Sequence, residues 1–486
     1  MKNIKYLILF TLIFIIGSCG KDEPSIDNRL SASFTIPSGT LFTDMSIEFS
    51  NTSTGAQSYD WDFGDGNNSS ATSPTYSYSE SGSYSIKLVA SDQDGNTMQA
   101  SNTISIIQAP EPITITNCNQ FGDLIWTDHN PNGVDYIIDC DFNMKVGDLN
   151  IEEGTLVEVA DGKQIIIENE ASLKCDGATI SGQTKSPGSW KGIRLIGNGS
   201  SIENSTIEYG GRQVSSTDGY AILLESSGTT QAEEGRLVIG NSTIKESTGY
   251  GIYCGENTVI RGKTFLGEFE NVFIQNCIKA GLSVSVDNTD KLDGIKIENC
   301  DKDNRIEIYE SIFNGSTFNG GSFFSASKAR YYISGLIQLN GGNSIIGHKI
   351  AAGADFLMGE NSEIRVGSST KFTFQGTQLE PIIFKGEEQS KGFWNGIHID
   401  SNRKSGNLIE YCEIYDAGAQ VHTVNDFGTP TARGGNLTIE ASNVEVINSH
   451  FENSASCGIL KHLGSEIVTG NLSYRDIAIL GLCDFF

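Results

Sequence analysis

One short phrase returns six times between residues 202 and 451: IENSTI (202–207), IGNSTI (239–244), IQNCI (274–278), IENC (297–300), IEYCEI (409–414) and VINSHF (446–451). In each, an apolar residue stands three before a small Ser or Cys, and in several another apolar residue follows two later. That spacing predicts a short strand with an inward apolar side chain, a bend near the small residue, and a second short strand. Such a unit cannot bury its apolar face alone and must stack on others. Cys277 and Cys300 are 23 residues apart, one turn of a coil of stacked strands; spacings of 35 and 37 are one turn with a long loop.

A larger repeat encloses the small one. NIEEGTLVEVADGKQIIIENEASLKCDG (150–177) matches KIAAGADFLMGENSEIRVGSSTKFTFQG (349–376) at an offset of 199. SWKGIRL (189–195) and FWNGIHI (393–399) match at 204, and Ile207 with Ile414 and Ile252 with Ile459 at 207. A small insertion accounts for each step, so the second Trp-x-Gly-Ile arose by duplication of a block. In one continuous coil, Trp190 and Trp394 are expected on the same side, seven or eight turns and roughly 35 Å apart at about 4.8 Å per turn. They serve either as stacking platforms for a polymer or as packing over the turn before each Gly-Ile strand.

With 55 Gly and 9 Pro in 486 residues, many Ser, Thr and Asn, and no sustained helical period, the chain reads as all-β. The block 130–486 resembles the right-handed parallel β-helix of pectate-lyase-like architecture: its run of Gly-rich strand phrases, then Trp-x-Gly-Ile, then a phrase reading STIEYGG in the first copy and CEIYDAG in the second, occurs twice. The resemblance implies a solenoid and leaves the activity open. Upstream, YDWDFGDG (59–66) and SPTYSYSESGSYSIKLVASDQDGN (73–96) resemble the PKD domain, an immunoglobulin-type β-sandwich, with Tyr76 in place of the usual His and Ile86 of the usual Val. The organisation expected is a signal peptide (1–18), a linker (19–30), the PKD domain (31–108), a linker with Pro110-Glu111-Pro112 and the start of the coil (109–130), a first solenoid copy with extra rungs (131–328) and a second copy (329–486).

The first residues suggest an address. Lys2 and Lys5 precede an apolar run, Tyr6 to Ile16, too short to span a bilayer. Ile16-Gly17-Ser18-Cys19 resembles the bacterial lipobox, which implies a lipid on Cys19 and membrane attachment through it. Lys21-Asp22-Glu23 resembles the export signal of Bacteroidota surface lipoproteins, which implies the outer membrane and an exterior face. The formal net charge of −27 argues against nucleic acid as a partner.

Nine Cys follow Cys19, an odd number in an oxidising compartment, so at least one is free or bonded between chains. Cys118 and Cys140 flank the entry to the coil and are the candidate disulfide; Cys483, near the open end, is the candidate unpaired thiol. Cys277, Cys300 and Cys412 are read as fillers of the small inward slot held elsewhere by Ser205, Ser242 and Ser449. Asp92-Gln93-Asp94-Gly95-Asn96 reads as a hairpin turn, and no specific motif supports Ca²⁺ or another cofactor.

For catalysis the signals are thin. Asn288-Thr289-Asp290 matches one element of galacturonase-like hydrolases, but no Asp-Asp pair follows, Gly347-His348-Lys349 lacks a second Gly, and Arg305-Ile306-Glu307 has the wrong charge and order. Basic residues gather at Lys185, Lys191, Arg194 and Arg212, and again at Lys391, His398, Arg403 and Lys404. The leading expectation is a surface lipoprotein that binds a glycan or an envelope component through its solenoid, with Trp190, Lys191, Arg194, Arg212, Trp394 and His398 as candidate contacts. A polysaccharide lyase on acidic polysaccharide and a structural subunit of an envelope complex are the alternatives.

Overall fold

The structure, a computed structural model, describes residues 29–484 except 131–132, 197–198, 214–218, 226–236, 256–265, 287–288, 290–291, 293, 302, 315–322, 325–328, 341–346, 368–370, 401, 403–404, 420–421, 427–428 and 463. The chain divides into two compact units, Met1–Pro110 and Glu111–Phe486.

The first unit is a small β-sandwich. Strands Gly82–Ser91 and Thr97–Ile107 form an antiparallel hairpin inside a five-stranded sheet with Ser58–Asp62, Asn68–Ser69 and Leu41–Phe42. Two short antiparallel pairs, Phe34–Thr35 with Ser50–Asn51 and Ile47–Glu48 with Thr75–Tyr76, complete it. Trp61 is fully buried among Phe49, Phe63, Ile86 and Leu88, and its Nε1 donates to the Ala71 carbonyl at 3.0 Å. Tyr76 makes its exchange for His workable: it stacks on Phe63 and donates its hydroxyl to Asp65 at 2.6 Å. The Asp92 carboxylate accepts from the backbone N–H groups of Asp94 and Asn96, at 2.9 and 2.8 Å, so it closes its own turn.

The second unit is a parallel β-solenoid with three walls per turn. The first wall carries Gly192–Leu195, Tyr220–Leu224, Tyr250–Cys254 and their successors, ending at Ser473–Arg475. The second wall follows it in each turn, as Ser200–Glu203 and Leu237–Gly240 early and as Glu363–Val366, Gly396–Asp400 and Gly435–Glu440 late. The third holds Thr179–Gly182, Thr206–Glu208 and Thr243–Ser247 early, and Phe372–Gln375, Leu408–Glu410 and Asn443–Ile447 late. Inward Ile, Val, Leu and Phe from all walls merge into one continuous core. Each rung pairs its backbone with the next, which satisfies polar groups that a lone strand would leave open.

The corners explain the recurring Asn. Asn204, Asn241, Asn276, Asn299 and Asn448 all have positive φ, between 46° and 56°, a region Asn tolerates better than most residues. They stand at two different corners. Ser205 and Ser242 lie where the second wall turns into the third, with the Ser205 N–H donating to Ser242 Oγ. Gln275 pairs with Glu298 and Ser247 with Cys277, which puts Cys277 and Cys300 one corner further along, above Ser247. The expectation that these two Cys share the Ser205 slot is therefore corrected: the same Asn-small phrase serves any corner needing a left-handed residue and little volume. Cys412 stacks directly on Ser449, and its N–H donates to Ser449 Oγ.

The duplication also sits differently from expectation. Seven successive pairings carry the first wall from Gly192–Leu195 to Ile382–Gly386. The chain then turns a corner before entering Gly396–Asp400. The first Trp-x-Gly-Ile strand thus lies in the first wall and its duplicate in the second. Likewise Ile207 is in the third wall and Ile414 in the first. The copies are displaced by seven turns plus one wall, so Trp190 and Trp394 do not share a face. Ladder pairing asks only that each strand find a neighbour one rung away, so a duplicated block need not contain whole turns.

The structure bonds Cys118 to Cys140, with Cα atoms 5.9 Å apart. Cys483 is not the unpaired thiol, because it is bonded to Cys457 on the preceding rung. Among the described residues the free thiols are Cys175, Cys254, Cys277, Cys300 and Cys412, all buried. Burial pushes Cys175 up to about 11 and holds Cys254 and Cys412 well above the ordinary thiol value, which keeps them protonated and un-nucleophilic.

Candidate binding face

Side chains alternate along a strand, so on the first wall Ile193 and Leu195 are buried while Arg194 between them points out, 36% exposed. The ladder turns that slot into a line along the wall, on which Leu223, Ser283 and Leu357 are themselves buried and the residues between them partly exposed. From Arg194 it passes Leu223 to Tyr253. It continues through Ser283 and Glu307 to Tyr332. Leu357 and Lys385 then lead to Tyr415. Tyr253, Tyr332 and Tyr415 are partly exposed and stand three rungs apart, about 14 Å at about 4.8 Å per rung.

Neighbours brace each ring. Tyr253 stacks on Tyr250 with centroids 5.1 Å apart, and Tyr250 donates its hydroxyl to Glu307 at 2.8 Å. The Arg305 guanidinium lies 3.8 Å from the Tyr332 ring centre, held by Asp301 at 2.8 Å and Glu387 at 3.3 Å. Such a cation over a ring is worth about 0.5–2 kcal/mol. The Tyr332 hydroxyl donates to Glu387 at 3.3 Å, and the Tyr415 hydroxyl to Glu413 at 2.8 Å. Burial, then the neighbouring carboxylates, raise both phenols above their ordinary value, so they remain donors at neutral pH. The result is a row of braced aromatic rings with carboxylates beside them, in which Tyr250 covers one face of Tyr253 and Arg305 one face of Tyr332, so that only the opposite faces are left to a ligand. A sugar ring fits that chemistry: its C–H face packs on an aromatic ring while its hydroxyls meet charged hydrogen-bonding groups.

The residues singled out from sequence fare unequally. Trp190 and Trp394 are fully buried, and their Nε1 atoms donate to the carbonyls of Glu208 (2.9 Å) and Tyr415 (2.7 Å), positions that correspond in the two copies. A stacking platform needs an open ring face, so neither indole is a ligand contact. The following Gly192 has φ 110°, and a Cβ there would strike the Tyr220 carbonyl, which explains why the phrase keeps its Gly.

Lys191 contacts both Asp141 oxygens at 3.2 Å, Arg194 holds Glu225 at 2.8 Å, Lys185 pairs with Glu158 at 2.8 Å, and Lys391 pairs with Asp476. Arg212 is exposed, and its Nη1 lies 3.4 Å from the Ser189 carbonyl. His398 does not face a ligand: it is buried on the second wall, 3.7 Å from Glu363 and 3.4 Å from Glu440. Burial alone would raise the Glu363 carboxyl, but hydrogen bonds from His398 and Arg365 outweigh it and hold it below its ordinary value. Of the six candidate contacts, only Arg194 stands on the tyrosine line. Cys19, Asn288, Asp290, Arg403 and Lys404 lie outside the described residues.

The three tyrosines escaped sequence reasoning because Ile252-Tyr253-Cys254, Tyr331-Tyr332-Ile333 and Ile414-Tyr415-Asp416 look unrelated until the register aligns them. An apolar-Tyr-x triplet recurring every three turns is the signal that could have found them.

Residues 33–106 match the PKD domain family, so the first unit is a PKD domain. Among solved structures the chain is similar to the PKD1 domain of the Vibrio cholerae metalloprotease PrtV, at 34% identity over 16% of this chain and 96% of that one, with a TM-score of 0.15. It is similar to the family 28 exopolygalacturonase of Yersinia enterocolitica, at 8% identity over 92% and 99% of the two chains, TM-score 0.20. It is also similar to the Streptococcus pneumoniae surface protein and adhesin PfbA, at 11% over 75% and 91%, TM-score 0.20. No curated protein matches the chain.

Proposed function

We propose that this chain is an envelope-anchored glycan-binding protein. A lipid on Cys19 holds it to the outer membrane with its solenoid facing out, and a polysaccharide lies along the first wall. The observation that carries the reading is the equal spacing of Tyr253, Tyr332 and Tyr415, each partly exposed, on one register line of the first wall. A repeating polymer meets a repeating surface, and several weak stacking contacts add through avidity. The lyase alternative asks for a Lys, Arg or Tyr to take a proton beside a uronate. Lys185, Lys191, Arg194 and Lys391 are each engaged by a carboxylate, which favours binding.

The test is affinity electrophoresis of the full-length protein, less its lipid, in gels carrying neutral or acidic polysaccharides. Retardation by at least one polymer is expected. Tyr253→Ala, Tyr332→Ala and Tyr415→Ala should each weaken it about threefold to tenfold, roughly 0.5–1.5 kcal/mol. Retardation untouched by all three changes would sink the reading, as would release of unsaturated products absorbing in the ultraviolet.

A further inference from the structure

Next to Tyr415, at the corner where the third wall turns into the first, lies a cleft of about 330 Å³. That volume is at the small end of the range for ligand pockets. Its lining is polar: Gln378, Tyr411, Glu413, Asn448, His450 and Asn471 face it. Register brings them together. Glu413, His450 and Ser473 are successive partners on the first wall, and Tyr411, Asn448 and Asn471 are the positive-φ residues of successive corners.

The donors and acceptors are fixed before any ligand arrives. Asn471 Nδ2 donates to Asn448 Oδ1 at 2.9 Å. His450 bridges Ser473 Oγ at 2.8 Å and Glu452 at 3.0 Å. Glu413 accepts the Tyr415 hydroxyl, which ties the cleft to the end of the tyrosine line. Corner residues of a stacked solenoid are held on both sides by neighbouring rungs, so little ordering entropy remains for a ligand to offset.

From this arrangement we infer that the cleft is a subsite for one uncharged sugar residue of the polymer, which stacks on Tyr411 and offers neighbouring hydroxyls to Glu413 and the asparagine amides. The inference rests on the glycan-binding reading and adds the substrate class. Charge decides that class. Glu413 lines the cleft, and Glu410 and Glu452 stand beside it, reached by Asn448 (3.4 Å) and His450. Arg475, close by, is spent on Glu452. A uronate or sulfated sugar would bring like charge against Glu413, with Arg475 and His450 already engaged by Glu452, whereas a vicinal diol gives a carboxylate two donors.

The experiment titrates the full-length protein, less its lipid, with neutral oligosaccharides and oligouronates of matched length, in parallel with the polymers above. Tyr411→Ala and Glu413→Gln should each weaken neutral oligosaccharide binding about tenfold or more with melting unchanged. Glu413→Gln should at the same time narrow the preference for neutral over uronic sugars. Tyr253→Ala, remote from the cleft, should leave short oligosaccharides alone and weaken only polymers. Polymer binding that survives Tyr411→Ala unchanged overturns the cleft and leaves the wall standing. Short-sugar binding that needs Tyr411 but no polymer binding overturns the wall and leaves the cleft. Tighter binding of uronates, or binding abolished by a calcium chelator, overturns the inference, since Glu413 would then be serving a cation.

Discussion

A tryptophan in a repeated phrase invites a binding role, and the two indoles show why residue type alone misleads. Trp190 and Trp394 each spend their one donor on a corner carbonyl and their whole surface on the core. Replacing either by Ala should cost about 3–5 kcal/mol, read as a lower urea midpoint of the solenoid transition, with glycan affinity unchanged while the protein is folded. Lost affinity at unchanged stability would reverse the assignment. His348 offers a second measurement at this scale. It is buried, and desolvation lowers its pKa from 6.5 to about 4. Between those values the unfolded chain binds a proton that the folded one refuses, so stability is full above pH 6.5 and declines as pH falls toward 4. The loss corresponds to roughly 3 kcal/mol. His348→Gln should flatten that part of the profile in denaturant titrations from pH 7 to 4. An unchanged slope would place the acid sensitivity elsewhere.

At the scale of strands and corners, stability is a sum of rung-to-rung contacts, so a change in one rung should be felt mainly by its neighbours. Cys457–Cys483 ties the strand Leu482–Asp484 to the rung beneath it. Converting both to Ser removes a link across 26 residues, worth about 3 kcal/mol in the chain-entropy account. Faster hydrogen exchange is expected in Glu466–Gly470 and Leu482–Asp484, with Gly192–Leu195 unaffected. Faster exchange throughout would mean that the solenoid opens as one unit. The rungs themselves were legible in the sequence, because an inward apolar residue three before a small one is a local rule that IENSTI states outright. Which corner each phrase occupies was not legible. IENSTI and IENC read alike, yet Ser205 and Cys300 sit at different corners, because loop lengths set the phase and loops carry no fixed period. The tyrosine line was hidden for the same reason, being a property of register between segments some 25 to 30 residues apart.

For the whole molecule, the displacement by seven turns and one wall separates two histories that a sequence alignment merges. Duplication relates Arg194 to His398; the ladder relates Arg194 to Leu223 and, through Tyr253 and Tyr332, to Lys385. If ligand contact followed ancestry, a polymer would protect equivalent residues of the two copies, which face different walls. Contact must follow geometry instead, because a stiff polymer cannot turn a corner of the solenoid without giving up stacking on one side. Hydroxyl-radical footprinting of the full-length protein with bound polysaccharide tests this directly. Protection is expected at Tyr253, Tyr332 and Tyr415 on the first wall, and absent at Lys461, which lies on the second wall paired with Asp484. The buried Trp190 and Trp394 should react slowly with or without polymer, which provides an internal control. Protection of Lys461 with no change at the three tyrosines would move the binding face to the second wall. Equal protection of both would mean a ligand that wraps the solenoid rather than lying along it.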